Sequence, residues 1–516
     1  MNRSGRNILR MKGWLSIFSI MVFVGLLYAR IPSAYFCGFD DFNENNRAVF
    51  EEHREPLRIL TATHFNSYKY RPLSHGLHYA TYWLGHGNPA LFRIRNETCH
   101  LLNILLVYGI GLLLFKNKIV SAGAALLFGV HPLTNQPVVA ASFTIPAAHV
   151  GFLFALFCFL YSVLKRPQSL PWLAMALLSG WLSLLTYESS ISVFVLMFCF
   201  LLIRFVVAGE KLFNRNYLIT LFLGTLLLVG SYFGMRRLFV MVTAQQAVPS
   251  VKTVLTSSAM YMIALVSPVD SVLANEWFGF PLPSEFHPGH IGPLRWIALG
   301  GAALVALVIL TLLLKLLKKR ADRLLLSTQL FLLCAVVLSI LPLIVFTPKP
   351  SETYMYLAVA FGALLFCSVL NVLLNARTVK GRLVFASIVG LLTVSFSCAT
   401  WVRNQRVASC AATAQRIMAQ VQEDRLKHGS WYVWLAEAPG EPKATRYGIY
   451  GYRGLGTIGQ PGVQSALRVA NGNEMLSVNV VEAESLADHC NDPREVCLVV
   501  HDDGKVDELN PPLLHR

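Results

Sequence analysis

Long apolar runs alternate with short polar segments along most of the chain. A helix needs about 17 to 25 mostly apolar residues to cross the hydrocarbon layer of a membrane. Runs of roughly that length predict about eleven spanning helices, at 14–30, 97–115, 119–136, 147–164, 170–187, 190–208, 217–234, 296–317, 324–346, 354–374 and 383–400. The stretch 254–274 is less apolar and contains Pro268 and Asp270, so it predicts a re-entrant or interfacial segment rather than a full crossing.

Basic residues in the short turns test this map, because cytoplasmic loops of membrane proteins are enriched in Lys and Arg. Every alternate turn is basic, and the clusters at 315–323 and 377–382 keep this alternation only if 254–274 does not cross. The first span has a basic start but no convincing small-residue cleavage site after it, which favours an anchor over a signal peptide.

The resulting topology places the N-terminus in the cytoplasm. Four regions are predicted on the outer side: 31–96, the turn after 136, the loop 235–295 and everything after about 401. We call 31–96 the first loop. The membrane we expect is a bacterial inner membrane, with a periplasmic C-terminal domain.

Composition agrees with a membrane protein. Of the 516 residues, 55% are hydrophobic and only 14% are charged, an apolar excess that one soluble core cannot hide. A net charge of +16 would ordinarily suggest nucleic acid as a partner, but the basic residues of the cytoplasmic turns account for all of it. The charge therefore records topology, and we expect a lipid bilayer and no nucleic acid as partners.

The chain divides into a polytopic transmembrane domain at 1–405 and an extracytoplasmic C-terminal domain at 406–516. Strand-like runs in the second part are found at 431–438, 446–452, 475–483 and 496–501. Together with the apolar spans, these runs predict the overall fold class, an all-α polytopic membrane protein with a small C-terminal α/β domain. Cys490 and Cys497 share that domain and could form a disulfide in an oxidising compartment, although spacing alone leaves this open.

The first loop carries the most informative chemistry. Asp40 and Asp41 follow the first span by about ten residues, at the water boundary. A carboxylate near a low-dielectric surface has its ionised form disfavoured unless something pairs with it, which prepares it to accept a proton. The alternative is a solvated turn, in which Asp-Asp is common.

Cations, histidines and aromatic residues are interleaved later in the same loop. The cations are Lys69, Arg71, Arg93 and Arg95. This mixture suits a membrane-surface groove that binds an anionic head group, although the same residue types also anchor ordinary interfacial helices. Arg71 is the leading candidate for binding a phosphate.

Two arginines and three further polar residues lie at predicted outer span ends. Arg236 and Arg237 are the next candidates for binding phosphate, with an interfacial anchor as the alternative. The other three are His131, Glu188 and Glu352. Ionisable groups at membrane depth are costly and tend to face a cavity, although a structural cap explains His131 equally well and solvent could cover Glu352.

Metal binding has weak support in the sequence. His75 and His78 lie one helical turn apart if 73–84 is helical, but such a pair more often belongs to an interfacial surface. No spacing demands a metal, and a divalent cation is left open as a cofactor. The chain has no glycine-rich phosphate loop, which argues against a nucleotide-sugar donor in the cytosol.

Several motifs together resemble a known family over most of residues 35–405. They are the pair Asp40-Asp41, YRPL (70–73), GNP (87–89), LLFGVHPLTNQPVVAAS (126–142), SLLTYESS (183–190), LPLIVFTPKPSETYMYLA (341–358) and TWVRNQ (400–405). In this order they are similar to the transmembrane-and-tetratricopeptide O-mannosyltransferases of the GT-C superfamily. Gln136, Tyr187 and Thr353 stand where that family has Glu, Lys and Arg, and the tetratricopeptide tail is missing. These differences favour a bacterial relative with another donor or acceptor.

The resemblance implies an integral-membrane glycosyltransferase. Such an enzyme transfers a sugar, usually with inversion, from a polyprenyl-phosphate donor to a glycan, lipid or protein acceptor at the outer membrane face. The resemblance also implies a first-loop aspartate as general base, without deciding between Asp40 and Asp41. Arg71, Arg236 and Arg237 would then meet the charge of the leaving phosphate.

Two other classes of protein stay open. A lipid or solute transporter would place ionisable groups near the bilayer midplane and often show repeated halves, whereas here the carboxylates gather at one face. A non-catalytic assembly factor for envelope polysaccharide could keep the same fold after losing the reaction, as the changes beside Glu188 and Glu352 allow.

Overall fold

The computed structural model describes most of the transmembrane domain and parts of the C-terminal domain. The described residues are 3–49, 59, 70–210, 214–239, 261, 265, 323–346, 352–374, 378–428, 432–437, 460–471, 476–481, 485–486, 495–501 and 503–508. The predicted span at 296–317 lies outside them, as does the predicted re-entrant segment at 254–274 apart from residues 261 and 265.

The transmembrane domain is a bundle of long apolar helices, as predicted. Among the described residues, seven helices are long and apolar enough to cross a membrane, and three shorter apolar helices accompany them. In chain order the helices are α1 (Arg3–Tyr28), α2 (Phe39–Arg47), α3 (Pro72–Gly85), α4 (Pro89–Phe115), α5 (Lys118–Val130), α6 (Asn135–Val139), α7 (Ile145–Leu164), α8 (Leu170–Thr186), α9 (Ser192–Ala208), α10 (Arg215–Phe239), α11 (Arg323–Phe346), α12 (Tyr356–Leu373) and α13 (Val379–His428).

The third predicted span, 119–136, ends earlier than expected. Helix α5 stops at Val130, and a 3₁₀ turn at Pro132–Thr134 leads into the short α6. Proline lacks an N–H and disfavours helical backbone in the residue before it, so His131 is extended at φ −65° and ψ 129°. The apolar run therefore covers a helix and a buried turn.

The first loop is built from short helices whose starts are set by the sequence. Helices α3 and α4 begin at Pro72 and Pro89, because proline fits the first helical turn, where no backbone N–H is required. Oδ1 of Asn88 accepts the Ala90 N–H at 2.9 Å and caps α4. Gly87 adopts φ 73°, which favours glycine at this sharp reversal between the two helices.

The C-terminal domain contains a four-stranded sheet with one described helix. Its elements are β1 (Tyr432–Glu437), α14 (Gln460–Asn471), β2 (Ser477–Val480), β3 (Glu495–Val500) and β4 (Val506–Glu508). The strand order is β2-β1-β3-β4, with β1 parallel to β2 and β3, and β4 antiparallel to β3. The predicted small α/β domain is confirmed, while the predicted strand at 446–452 lies outside the described residues.

This domain packs on the first loop through a shared core. Ile417 of α13 and Leu467 of α14 are buried in the same cluster as Phe42 of α2. The Ser465 hydroxyl of α14 donates to Oδ1 of Asn43 in α2 at 3.4 Å. Helix α13 passes through residue 405 without a break, so one rigid element joins the membrane bundle to the sheet.

Cys497 on β3 is disulfide-bonded. Its predicted partner, Cys490, lies outside the described residues, and eight other cysteines are free thiols. A disulfide in the C-terminal domain fits an oxidising compartment on that side of the membrane.

Candidate active site

The two first-loop aspartates have different environments. Helix α2 begins directly after Gly38, so both carboxylates lie in its first turn. Asp41 is 2% exposed, and its Oδ1 accepts the Ser142 N–H at 2.8 Å while its Oδ2 accepts the Cys37 N–H at 3.3 Å. Asp40 is exposed. Asp41 therefore connects the start of α2 to the segment after α6, whereas Asp40 faces outward.

Several polar side chains hold the segment 139–143, and together with Asp41 we call this arrangement the 139–143 anchor. Its donors lie on α4, and they are Arg93 to the Val139 carbonyl at 3.0 Å, Asn96 to the Ala140 carbonyl at 2.8 Å, and Arg95 to the Ala141 and Phe143 carbonyls at 3.0 and 2.9 Å. Arg93 also donates to the carbonyls of Ala34 and Tyr35. Arg95 donates in addition to Oδ1 of Asn96 at 3.0 Å and to the Thr81 hydroxyl at 3.1 Å. The bonds to backbone carbonyls fix the first loop on the bundle.

Burial dominates the electrostatics of Asp41. Removal from water raises the pKa of its carboxyl above the usual value of 3.8, although nearby Arg93 and the backbone amides of Ser142 and Cys37 oppose that rise. The buried carboxyl has no solvent-facing oxygen for a substrate, so its surroundings suit a positioning role.

A second set of charged groups lies where α3 begins and α8 ends. Nε of Arg71 donates to Oε2 of Glu188 at 2.6 Å, and the guanidinium carbon lies 4.2 Å from the centre of the Tyr187 ring. The side chains of Arg71 and Glu188 are 22% and 27% exposed. Burial lowers the pKa of Arg71, but Glu188 and the neighbouring tyrosines outweigh it, so the pKa is raised and the guanidinium stays charged.

The outer end of α10 lies next to the Arg71–Glu188 pair. The Tyr232 hydroxyl donates to the Tyr70 carbonyl at 3.3 Å, and its electrostatic surroundings include Glu188, Arg71 and Arg236. Arg236 is half-buried in the last turn of α10, whereas Arg237 is exposed. The residues that converge here, which we call the Arg71 cluster, are Arg71, Tyr187, Glu188, Tyr232 and Arg236.

Contacts between α2 and α3 join the two sets. Nε2 of His78 donates to Oδ1 of Asn45 at 3.2 Å, and Nδ1 of His75 lies 3.9 Å from Oε2 of Glu44. Both histidines thus share one face of α3, as their spacing predicts, and that face packs on α2. Across the described ranges, no group of three His, Cys, Asp or Glu side chains is arranged to hold a metal ion.

His131 is part of a structural joint. Its Nδ1 accepts the Leu133 N–H at 3.2 Å, and its Nε2 donates to the Leu265 carbonyl at 3.2 Å. Residues of the TWVRNQ motif complete the joint, because Thr400 donates to the Val130 carbonyl at 2.9 Å and Arg403 to the Pro132 carbonyl at 2.5 Å. The motifs at 126–142 and 400–405 therefore contact each other across the helix break.

The remaining predicted residues have partial descriptions. Lys69 lies outside the described residues. Glu352 begins a 3₁₀ turn, Glu352–Met355, but its side chain is outside the described set. Tyr354 in that turn stacks on Tyr187 with ring centres 6.4 Å apart, which brings the turn to the Arg71 cluster.

Sequence reasoning did not assign a role to the tyrosines around Arg71. Tyr187 and Tyr354 were each visible as an aromatic residue beside a span-end glutamate, and that repeated pairing is the signal that could have identified them. Tyr232 had a weaker signal, one helical turn before Arg236.

An apolar groove of about 430 Å³ lies between α9 and α10. Its lining includes Ile191, Phe194 and Phe198 on one side and Phe222 and Phe233 on the other. Ile191 ends the 3₁₀ turn that Glu188 begins, so the groove leads up to the Arg71 cluster.

No protein-family model matches the chain, and no curated protein has significant sequence similarity to it. Among solved structures, the chain is similar to the oligosaccharyltransferase AglB from Archaeoglobus fulgidus in complex with an inhibitory peptide and a dolichol-phosphate, at 14% identity and TM-score 0.48. That match covers 81% of this chain and 62% of the other, so the chain spans about three fifths of the length of that enzyme.

The chain is also similar to ArnT from Cupriavidus metallidurans. The apo structure matches at 14% identity and TM-score 0.41 over 95% of this chain and 93% of the other. The structure bound to undecaprenyl phosphate matches at 15% identity and TM-score 0.37, over 96% and 93%.

Proposed function

We propose that this protein is an integral-membrane glycosyltransferase of GT-C type, which transfers a sugar from a polyprenyl-phosphate donor to an acceptor at the outer membrane face. The observation that carries the proposal is the partly exposed Arg71–Glu188 pair at the outer end of an apolar groove. A polyprenyl-phosphate sugar has the matching shape, because its long apolar tail continues into an anionic phosphate. The family resemblance of the first-loop motifs supports the same substrate class.

Arg71 and Arg236 would bind the donor phosphate. As the bond between the sugar's anomeric carbon and the phosphate oxygen breaks, the electron pair stays on the phosphate, and cations nearby stabilise the growing charge. Glu188 orients the Arg71 guanidinium from one side, while Tyr187 supports its face. Arg237, which is exposed in the same turn of α10, stays a predicted phosphate ligand.

Asp40 would act as the general base. An acceptor hydroxyl would attack the anomeric carbon from the face opposite the phosphate, and this direction of attack inverts the configuration at that carbon. The proton of the hydroxyl would pass to the Asp40 carboxylate. Exposure at the start of α2 leaves Asp40 able to reach an acceptor, whereas both oxygens of Asp41 are engaged by backbone amides. Asp41 would therefore position the loop that carries the base.

The disulfide at Cys497 supports an outward-facing C-terminal domain. We propose the periplasmic side of a bacterial inner membrane, with the N-terminus in the cytoplasm, as the basic turns predict. A glycan, lipid or protein acceptor would then approach Asp40, which is exposed at the start of α2.

Reconstitution tests the proposal. The purified protein in nanodiscs would be incubated with a panel of polyprenyl-phosphate sugars and acceptors, with and without a divalent-cation chelator. We expect transfer by the wild type, a large loss in Asp40→Asn and Arg71→Ala, and no loss in Arg215→Ala, which removes an exposed charge at the opposite end of α10. Equal transfer by all variants would exclude this site, and movement of lipid between leaflets without transfer would indicate a transporter.

A further inference from the structure

A buried tyrosine hydroxyl joins several helices close to the Arg71 cluster. Tyr356 is the first residue of α12, lies in the motif at 341–358 and is 0% exposed. Its hydroxyl lies 2.6 Å from Nδ1 of His100 and 3.0 Å from Nδ2 of Asn103, both on α4. The Asn103 amide also donates to the Pro146 carbonyl in the first turn of α7 at 2.8 Å, and Nε2 of His100 lies 3.0 Å from the Gly129 carbonyl of α5.

The direction of each of these hydrogen bonds follows from the chemistry of the groups. A charged imidazole is costly at a fully buried position, so the His100 ring is neutral. The Gly129 carbonyl can only accept, so Nε2 of His100 donates to it and Nδ1 is left as an acceptor. The Asn103 NH₂ group can only donate, so the Tyr356 hydroxyl accepts from Asn103 and donates to His100. A phenylalanine could make neither bond, so the hydroxyl itself fixes the Tyr356 ring.

Two routes of ring contacts lead from Tyr356 to Tyr187. In the first, the Tyr356 ring stacks on His149 of α7, with ring centres 5.3 Å apart and planes at 14°. The His149 ring then meets Tyr187 at 6.3 Å and 62°. In the second, Tyr354 in the 3₁₀ turn directly before Tyr356 stacks on Tyr187, with ring centres 6.4 Å apart. Both routes end on the ring that lies 4.2 Å from the Arg71 guanidinium carbon.

We propose that the Tyr356 hydroxyl is a positioning group for the phosphate site, because it fixes the rings that set Tyr187 against the Arg71 guanidinium. This inference rests on the proposed function, in which Arg71 binds the donor phosphate. A guanidinium that is already held against a ring loses less freedom when it binds an anion, so binding is tighter. Tyr356 acts through the rings of His149, Tyr354 and Tyr187 rather than by contact with the phosphate.

Donor binding by Tyr356→Phe tests the inference, because this substitution keeps the ring and removes the hydroxyl. In nanodiscs, we expect the Kd for a polyprenyl phosphate to rise about 3- to 30-fold as the cation–π support of Arg71 is lost. The matched control is Tyr217→Phe, since Tyr217 is 1% exposed and its hydroxyl lies 2.6 Å from Oγ of Ser162 at the opposite end of α10. Both variants lose a buried hydrogen bond and should melt at a lower temperature than wild type, but only Tyr356→Phe should weaken binding. A wild-type Kd in Tyr356→Phe would overturn the inference.

A double-mutant cycle tests the route. If Tyr356 acts through Tyr187, adding Tyr356→Phe to Tyr187→Ala should leave the Kd of Tyr187→Ala unchanged, and a further rise of full size would contradict that route. Should Tyr356→Phe not fold, His149→Leu removes the ring between Tyr356 and Tyr187 and should produce a rise of similar size. Arg71→Ala separates the two levels of the account. A Kd raised by Arg71→Ala but by neither Tyr356→Phe nor His149→Leu rejects this inference alone, whereas a Kd unchanged in Arg71→Ala rejects the phosphate site and this inference with it.

Discussion

The 139–143 anchor and the Arg71 cluster are two charged regions at the same end of the bundle, and they use charge differently. In the anchor, Arg93 is 1% exposed and donates to three backbone carbonyls. In the cluster, Arg71 is 22% exposed and has a carboxylate partner that is also partly exposed. Buried charges are costly unless they are paired and hydrogen-bonded, so the hydrogen bonds of Arg93 serve the fold rather than a ligand.

This difference separates residues that build the site from residues that can act in it. A partly exposed ion pair between side chains contributes less to folding than a fully buried one and can rearrange around an anion. The same criterion distinguishes Asp40 from Asp41, which are adjacent in sequence. Each prediction below tests one side of this comparison.

The largest effect is expected from the centre of the anchor. Arg93→Met keeps much of the side-chain volume but leaves three buried carbonyls without their donor, and we expect it to lower the free energy of unfolding by about 3–5 kcal/mol. Chemical unfolding in detergent would measure this. Arg406→Met, at an exposed position on α13, should stay within about 0.5 kcal/mol of wild type, and an equal loss in both variants would contradict the anchor.

The Arg71 cluster should respond in binding rather than in folding. Arg71→Ala removes a charge-assisted hydrogen bond worth about 1.5–3 kcal/mol, so the Kd for a polyprenyl phosphate should rise about 10- to 150-fold. Titration in nanodiscs would measure it, with Arg215→Ala as the control of equal charge change. An unchanged Kd together with a large loss of stability would place Arg71 with the structural residues instead.

Asp41→Asn should weaken the anchor moderately. The oxygen of the Asn side-chain amide would take the place of one carboxylate oxygen, and its NH₂ group would take the place of the other. One of the two backbone N–H groups, of Ser142 or Cys37, would then face an NH₂ donor. We expect a loss of about 1–3 kcal/mol in unfolding free energy. A fully wild-type melting curve would show that these two hydrogen bonds do not hold the start of α2.

The smallest expected effect is a change with pH in the stability difference between wild type and Asp41→Asn. Because burial raises the pKa of Asp41, the folded protein holds this proton more tightly than the unfolded chain. The stability that this tighter proton binding contributes is fully present below the ordinary pKa of 3.8. It is lost as pH rises through the higher pKa of the folded protein. The stability advantage of wild type over Asp41→Asn should therefore shrink as pH rises through that window, and an advantage that grows there would contradict the sign.

Much of the fold could be predicted because hydropathy is a local property of sequence. Ten of the predicted spans correspond to described helices, and the alternating strand runs correspond to β1, β2 and β3. The exception at 119–136 has a local cause in Pro132, which a stricter reading of helix breakers would have detected. Cys497 being bonded also fits the compartment that the topology predicts.

The site could be predicted only in part, because burial depends on distant partners. Nothing adjacent to Asp41 indicates that Ser142 will donate to it, so the sequence leaves the two aspartates equivalent. The sequence leaves His131 open between a cavity residue and a structural cap, because its carbonyl partner at Leu265 is far away in the chain. Arg71 was identified as a cation of the first loop and Glu188 as a carboxylate at a span end, but nothing local in the sequence pairs the two side chains.

Transfer and donor binding in a single variant, Asp40→Asn, provide the most direct test of the central claim. If Asp40 is the base, the transfer rate from a polyprenyl-phosphate sugar should fall about 10²- to 10⁴-fold, while the donor Kd and the melting temperature stay at wild-type values. A transfer rate that is unchanged in Asp40→Asn but abolished in a stably folded Asp41→Asn would contradict the account.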